Sequence, residues 1–190
     1  MAKEKKIEGK NILMVIASKN FRDEEYFIPY EIFQNEGAKI TTASSMKGES
    51  VGIEGGEARS TMLLKEVNPK DFDAIVFVGG DGAKEYFDND EAHKLAQEFY
   101  SRRKVVAAIC IAPVILARSG ILKIKKATVW SSLANKSGLE ELKSAGCNYA
   151  DEGVVVDGKI ITADGPAKSE EFAKAVVDVL AIPEEDEEKK

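Results

Sequence analysis

The segment Ala108-Ile109-Cys110-Ile111-Ala112 carries a thiol with a small residue two positions away on either side. A sharp strand-to-helix turn that exposes a nucleophile needs that spacing, because larger flanking side chains would collide. The hydroxyl version of the same turn reads Gly-x-Ser-x-Gly. A thiol at such a corner also meets the free N–H groups and dipole of the following helix, which favour the thiolate. A free cysteine can equally serve as a small buried hydrophobe, and spacing alone leaves both roles open for Cys110. Cys147, in Ser144-Ala145-Gly146-Cys147-Asn148, lacks such flanks and reads as a packing residue. The run Val78-Gly79-Gly80-Asp81-Gly82 could turn backbone N–H groups toward an oxyanion or phosphate, since glycine lets the main chain approach a ligand. A dinucleotide fingerprint would need Gly or Ala three residues after Gly82, where Glu85 stands, and no Lys-Ser/Thr pair follows. Glu24 and Glu25 are adjacent and cannot both face inward from one helix. The sole histidine, His93, falls inside a helical stretch rather than at a strand end. Neither a metal site nor a locally spaced Cys-His pair is therefore expected.

These groups need elements to hold them. Asn11 to Ala17 is a continuous apolar run, short enough for a strand buried on both faces of a parallel sheet. Asp23-Glu24-Glu25 then opens a helix through Phe33 that stops at Gly37, with Pro29 acceptable near a first turn or at a kink. Ala38 to Ala43 is a second strand, and the Gly-, Ser- and Glu-rich stretch from Ser44 to Glu57 is a surface excursion with room for a hairpin. Asp73 to Val78 is a strand, followed by the glycine turn and a helical pattern through Arg103. The unit repeats at once: Val105 to Ile109 is a strand, Cys110 the corner, and Pro113 suits the first turn of a helix. Ala127 to Trp130 reads as a short strand and Gly138 to Ser144 as a short helix. Two β-rich runs flank Asp157-Gly158, a strong hairpin signal. Ser169 to Ala181 is a last helix with Phe172, Ala175, Val176 and Leu180 on one face. The tail from Glu184 to Lys190 is a charge run, read as a solvated end. Alternating strands and helices predict an α/β sandwich, its mostly parallel sheet covered by helices on both faces. Ligands of such sheets lie at the carboxyl ends of the strands, which selects Glu25, the Gly79-Gly80 turn and Cys110.

The 190 residues fit one domain, with no linker or low-complexity break. A charged share of 32% beside 44% hydrophobic residues excludes disordered, collagenous and disulfide-scaffold classes. The formal charge of −6 repels phosphate backbones, so nucleic acid is not an expected partner. No apolar run approaches the length of a membrane span and no signal peptide is evident, so a cytoplasmic protein without membrane contact is expected.

Taken in order, Glu25 four residues before Pro29, Val78-Gly79-Gly80, Ala107-Ala108-Ile109-Cys110-x-Ala-Pro113, and Gly165-Pro166 ahead of Glu171-Phe172-Ala173 resemble the ThiJ/PfpI superfamily of oxidative-stress proteins, intracellular proteases and glyoxalases. The resemblance runs from about Lys10 to Ala181, leaving charged tails at both ends. It implies a flavodoxin-like three-layer sandwich, a homodimer or higher homo-oligomer, and no bound organic cofactor. It also implies that Cys110 is the nucleophile and Glu25 the buried acid that touches it. Gly79, Gly80 and the Ile111 amide would surround an oxyanion or oxidised sulfur, and Trp130 would wall the pocket. A protonated Glu25 would steady the thiolate, whereas an ionised one would raise the thiol pKa. The sequence departs from relatives in three places. Ile111 stands where the protease branch has histidine, and Trp130 lies where glyoxalases have one. Ala163-Asp164-Gly165-Pro166 replaces Ser-Arg-Gly-Pro. The implied substrates are a reactive carbonyl or peroxide, with a peptide as the alternative and a non-enzymatic binding role as a third.

Overall fold

A computed structural model describes residues 5–183. Its strands are β1 (Asn11–Val15), β2 (Lys19–Phe21), β3 (Lys39–Ser44), β4 (Gly48–Gly52), β5 (Glu57–Ser60), β6 (Met62–Leu63), β7 (Ala74–Phe77), β8 (Val105–Ile109), β9 (Lys126–Ala127), β10 (Asn148–Tyr149), β11 (Val154–Asp157) and β12 (Ile160–Ala163). The α-helices are α1 (Asp23–Asn35), α2 (Asp90–Ser101), α3 (Pro113–Arg118), α4 (Ser137–Ser144) and α5 (Ser169–Leu180).

The main sheet has the order β11-β12-β8-β7-β1-β3-β6. Its neighbours are parallel except β11 and β12, the hairpin foreseen at Asp157-Gly158. Alternation along the central strands explains why they read as unbroken apolar runs. Leu13, Val15, Ile75, Phe77, Val106 and Ala108 enter one core, which also holds Leu95, Phe99, Leu116 and Leu142 of α2, α3 and α4. Ile12, Met14, Val76, Ala107 and Ile109 enter the other, against Tyr26 and Phe33 of α1 and Phe172 and Val176 of α5. Both faces of every central strand are thus dry, the condition that removes the polar half of a strand pattern. The sandwich is the α/β, flavodoxin-like three-layer architecture expected, with helices on both faces of a mostly parallel sheet.

From β1 the chain builds outward through β3 and β6, then returns to lay β7 against the other side of β1. This reversal opens a crevice at the carboxyl ends of β1 and β7. The excursion after β3 contains the antiparallel pair β4–β5, extended by β2 into a separate three-stranded sheet.

Three elements differ from expectation. The helical pattern after the glycine turn is two pieces: a 3-10 helix over Asp81–Tyr86, then α2, whose cap Asn89 accepts the Ala92 N–H at 2.9 Å. Pro29 lies in the second turn of α1, which runs on through it. The missing Pro29 N–H is the one that would have bonded the Glu25 carbonyl, so this turn of the ladder is open. The short strand at Ala127 to Trp130 is confined to Lys126–Ala127, since the backbone beyond turns to the site. The tail from Glu184 to Lys190 lies outside the described residues. Among those described, no helix is long and apolar enough to cross a membrane.

Candidate functional site

Cys110 follows β8 directly and has φ 64°, in the left-handed region that a residue with a Cβ adopts only under constraint from its surroundings. The constraint is visible. Its N–H donates to the Ala163 carbonyl at the end of β12 at 2.9 Å, and its carbonyl accepts the Trp130 N–H at 2.8 Å. With both backbone groups clamped, the side chain projects from the sheet end, partly accessible to solvent. Ala108 and Ala112 flank it with no exposed surface at all, which accounts for the small residues at those positions.

Glu25 sits in the first turn of α1 and is fully buried. Its Oε2 accepts the Gly79 N–H at 3.0 Å, while Oε1, buried as well, has no hydrogen-bond partner. The Cys110 thiol lies close enough to this carboxyl to lower its pKa. Burial is the main influence on the acid and raises its pKa from 4.5 to about 7, against the lowering effects of Cys110, the Gly79 amide and Arg22. Burial first, and the negative charge of Glu25 second, raise the Cys110 thiol to about 12, while the backbone N–H groups of Gly80 and Ile111 pull the other way. Between those two values the pair holds a single proton.

Gly79 is glycine for a steric reason. A Cβ there would lie 2.5 Å from Glu25 Oε2, 2.6 Å from Cys110 Cβ and 2.8 Å from the Ile109 carbonyl oxygen. Gly80 has φ 93°, and a Cβ on it would sit 2.5 Å from the Arg22 nitrogen and 2.6 Å from the Asn20 carbonyl oxygen. The glycine turn is therefore pressed between the acid, the thiol and the segment leading into α1. Of the three amides expected around the sulfur, Gly80 and Ile111 act on it, whereas the Gly79 N–H is committed to Glu25. The helix after Cys110 begins only at Pro113 and is one and a half turns long, so these two amides, rather than a helix end, supply the local positive potential.

Trp130 separates two clefts. One, of about 290 Å³, is lined by Trp130, Tyr149, Asp151, Asp164 and Pro166 among others. The second, of about 280 Å³, includes Ile111, Phe87, Arg118 and Trp130. Burial holds the Asp164 carboxyl above its usual range, opposed by Lys168. Lys168 itself pairs with Glu171 at 2.8 Å. The departure at Ala163-Asp164 noted from the sequence thus places an anion on a cleft wall beside Trp130. His93 lies in the first turn of α2 with Nε2 2.8 Å from the Phe87 carbonyl oxygen, a local structural bond. Cys147 is buried, its Sγ 3.2 Å from the Lys125 carbonyl oxygen. Among the described residues no group of three or more His, Cys, Asp or Glu is arranged to hold a metal ion.

One residue of the site escaped sequence reasoning. Asp23 looks like an ordinary acid in a helix first turn, yet it is 8% exposed and accepts the Glu54 N–H at 2.8 Å and the Gly56 N–H at 2.7 Å. Its partners are main-chain groups some thirty residues away, so no pattern of residue types announces them. The only trace is the glycine content of the excursion.

The chain resembles known proteins over nearly its whole length. It is 46% identical over 179 residues to an uncharacterized protein of Methanocaldococcus jannaschii, covering 94% of this chain and 86% of that one. It is 30% identical over 168 residues to the protein named deglycase PfpI of Pyrococcus furiosus, covering 88% and 98%. Among solved structures, a ThiJ/PfpI domain protein from Brachyspira murdochii superposes with a TM-score of 0.86 at 38% identity, covering 91% of this chain and 97% of that one. The DJ-1/PfpI family model matches residues 10–179, and the chain belongs to the DJ-1/PfpI family.

Proposed function

We propose that Cys110 is a nucleophile toward small electrophiles of carbonyl or oxidative stress, with Glu25 as its proton partner. The observation that carries this reading is the pairing of a conformationally forced thiol with a fully buried carboxyl whose pKa burial raises to about 7. When that proton resides on Glu25, the sulfur is a thiolate facing the Gly80 and Ile111 amides, and the desolvated acid remains neutral beside it. Attack on an aldehyde forms the C–S bond and moves the carbonyl π pair onto oxygen. The alkoxide then takes the Glu25 proton, giving a neutral hemithioacetal and a carboxylate. Attack on a peroxide forms the S–O bond and breaks O–O, and the departing hydroxide takes the same proton to leave as water. Each step needs one proton, and the pair holds one, so neither requires an imidazole.

Neither cleft beside Trp130 is lined by Cys110 itself; a small substrate would reach the thiol past Trp130, and Asp151 and Asp164 on one cleft would favour neutral over anionic ones. The deglycase name of the Pyrococcus furiosus relative is consistent with carbonyl chemistry at such a thiol. In the native protein, brief exposure to methylglyoxal or hydrogen peroxide, followed by peptide mass spectrometry, should modify Cys110 well ahead of Cys147. Equal or slower modification of Cys110 would remove this function.

A further inference from the structure

Asp23 is almost entirely buried, and the tip of the β4–β5 hairpin is wrapped around its carboxylate. Beside the two N–H bonds from Glu54 and Gly56, a Cβ on Gly52 would lie 2.4 Å from Oδ2 and one on Gly56 2.4 Å from Oδ1. Only glycine lets this backbone close so tightly on a side chain. Two further strands of contact tie the same tip to the chain before α1: the Ile53 N–H donates to the Phe21 carbonyl at 2.9 Å, and the Val51 N–H to that of Ser18 at 3.1 Å. The segment so held is the one that meets the glycine turn. The Arg22 N–H donates to the Gly79 carbonyl at 3.0 Å, and Asn20 and Phe21 back onto Gly80. Phe21 is wholly buried and its ring meets Tyr26 of α1 edge-on with centroids 5.5 Å apart.

We propose that Asp23 is a positioning residue for the Glu25–Cys110 pair: by latching the β4–β5 tip to the first turn of α1, it presses Asn20–Arg22 onto Gly80 and keeps the Glu25 carboxyl out of water. This rests on the function proposed above but concerns a residue two positions away that touches neither sulfur nor substrate. The charged and titratable groups that face Glu25 are few: Cys110 from the turn after β8, Arg22 before α1 and Glu24 on α1, with the neutral Gly79 amide from the turn after β7. Arg22 is itself held by Glu24 at 2.8 Å and by Glu54, the latter on the latched tip, at 3.8 Å. Releasing the tip therefore wets the acid, which favours its ionised form, and loosens the Arg22 cluster beside it, a smaller influence that acts the other way.

The test compares the wild type with Asp23→Ala, Asp23→Asn and Gly56→Ala. Gly56→Ala keeps the Asp23 charge but forces the tip away; Asp23→Asn removes the charge but retains an oxygen for one of the two N–H bonds. The midpoint of the pH dependence of Cys110 alkylation by iodoacetamide is measured, with the carboxyl infrared band of Glu25, assigned by difference from Glu25→Gln, as a second readout that needs no reactive sulfur. Asp23→Ala and Gly56→Ala should lower both midpoints by at least one pH unit, with the alkylation plateau above the midpoint falling about tenfold because the single proton moves from Glu25 to sulfur, and Asp23→Asn by less. Midpoints unchanged in the folded variants overturn the latch. So does an Asp23→Asn shift as large as that of Asp23→Ala with none in Gly56→Ala, which would make the effect one of charge alone. If Asp23→Ala does not fold, Gly56→Ala and Asp23→Asn decide by the same criteria. Should wild-type Cys110 label no faster than Cys147, the proposed function fails while the infrared midpoint still decides the role of Asp23.

Discussion

Replacing Glu25 by glutamine keeps the shape of a buried side chain and removes its titration, and the consequence for stability can be worked out. The carboxyl has a pKa of about 7 in the folded chain, against 4.5 as its ordinary value. Between those values the folded state keeps a proton that the unfolded state has released, so stability falls as pH rises through the window and is constant above it. Each unit is about 1.4 kcal/mol, and from pH 5.5 to 8.5 the wild type should lose about 2 kcal/mol through this group alone. Glu25→Gln loses none of it. The variant's stability relative to wild type must therefore improve by about 2 kcal/mol over that interval, whatever its offset at the acid end. The thiol does not interfere, because it titrates well above the range. Urea unfolding followed by the fluorescence of Trp130, the sole tryptophan, measures the difference, and pH 5.5 stays above the isoelectric point near 5.1. A difference constant to within about 0.5 kcal/mol across the interval, with equal denaturant slopes, would refute the claim that burial raises the Glu25 pKa in the folded state.

Other positions give independent checks. Gly79→Ala should destabilise the protein by about 2–3 kcal/mol and reduce Cys110 alkylation to the level of Cys147, because the new methyl group collides with both members of the pair and a carbonyl at once. Chemical denaturation and competitive labelling measure the two effects. Asp164→Asn should raise the ratio of iodoacetate to iodoacetamide reactivity at Cys110 about twofold at low salt, the effect of one unit charge acting across about 10 Å of largely aqueous surroundings, and the gain should shrink in salt.

Much of the scaffold was legible because its local signals agree with one another. Short apolar runs ending in Gly79-Gly80 and in Cys110-x-Ala-Pro113 can hardly be anything but strands delivering turns to one edge of a sheet. The small residues around Cys110 foretold a forced corner, and φ 64° there is the corresponding geometry. Glu25 was a weaker inference from residues alone, since Glu24 beside it has the same chemistry. Burial separates them: Glu24 turns outward to Arg22, Glu25 inward to the Gly79 amide and the thiol. What stayed hidden depends on backbone groups from distant segments. The commitment of the Gly79 N–H to Glu25 and the grip of Asp23 on Glu54 and Gly56 involve main-chain donors, which every sequence supplies in abundance. The break between the 3-10 helix and α2 was in principle readable from Asn89, a good helix cap, but apolar periodicity on both sides concealed it.

The shared proton is the central claim, and the pH dependence of Cys110 alkylation in the native protein tests it most directly. The wild-type rate should rise through an inflection near pH 7 and then level off well below the titration of a free thiol, while Glu25→Gln shows no inflection there and climbs only in the alkaline range. A wild-type profile that follows an isolated thiol, unchanged by Glu25→Gln, would contradict it.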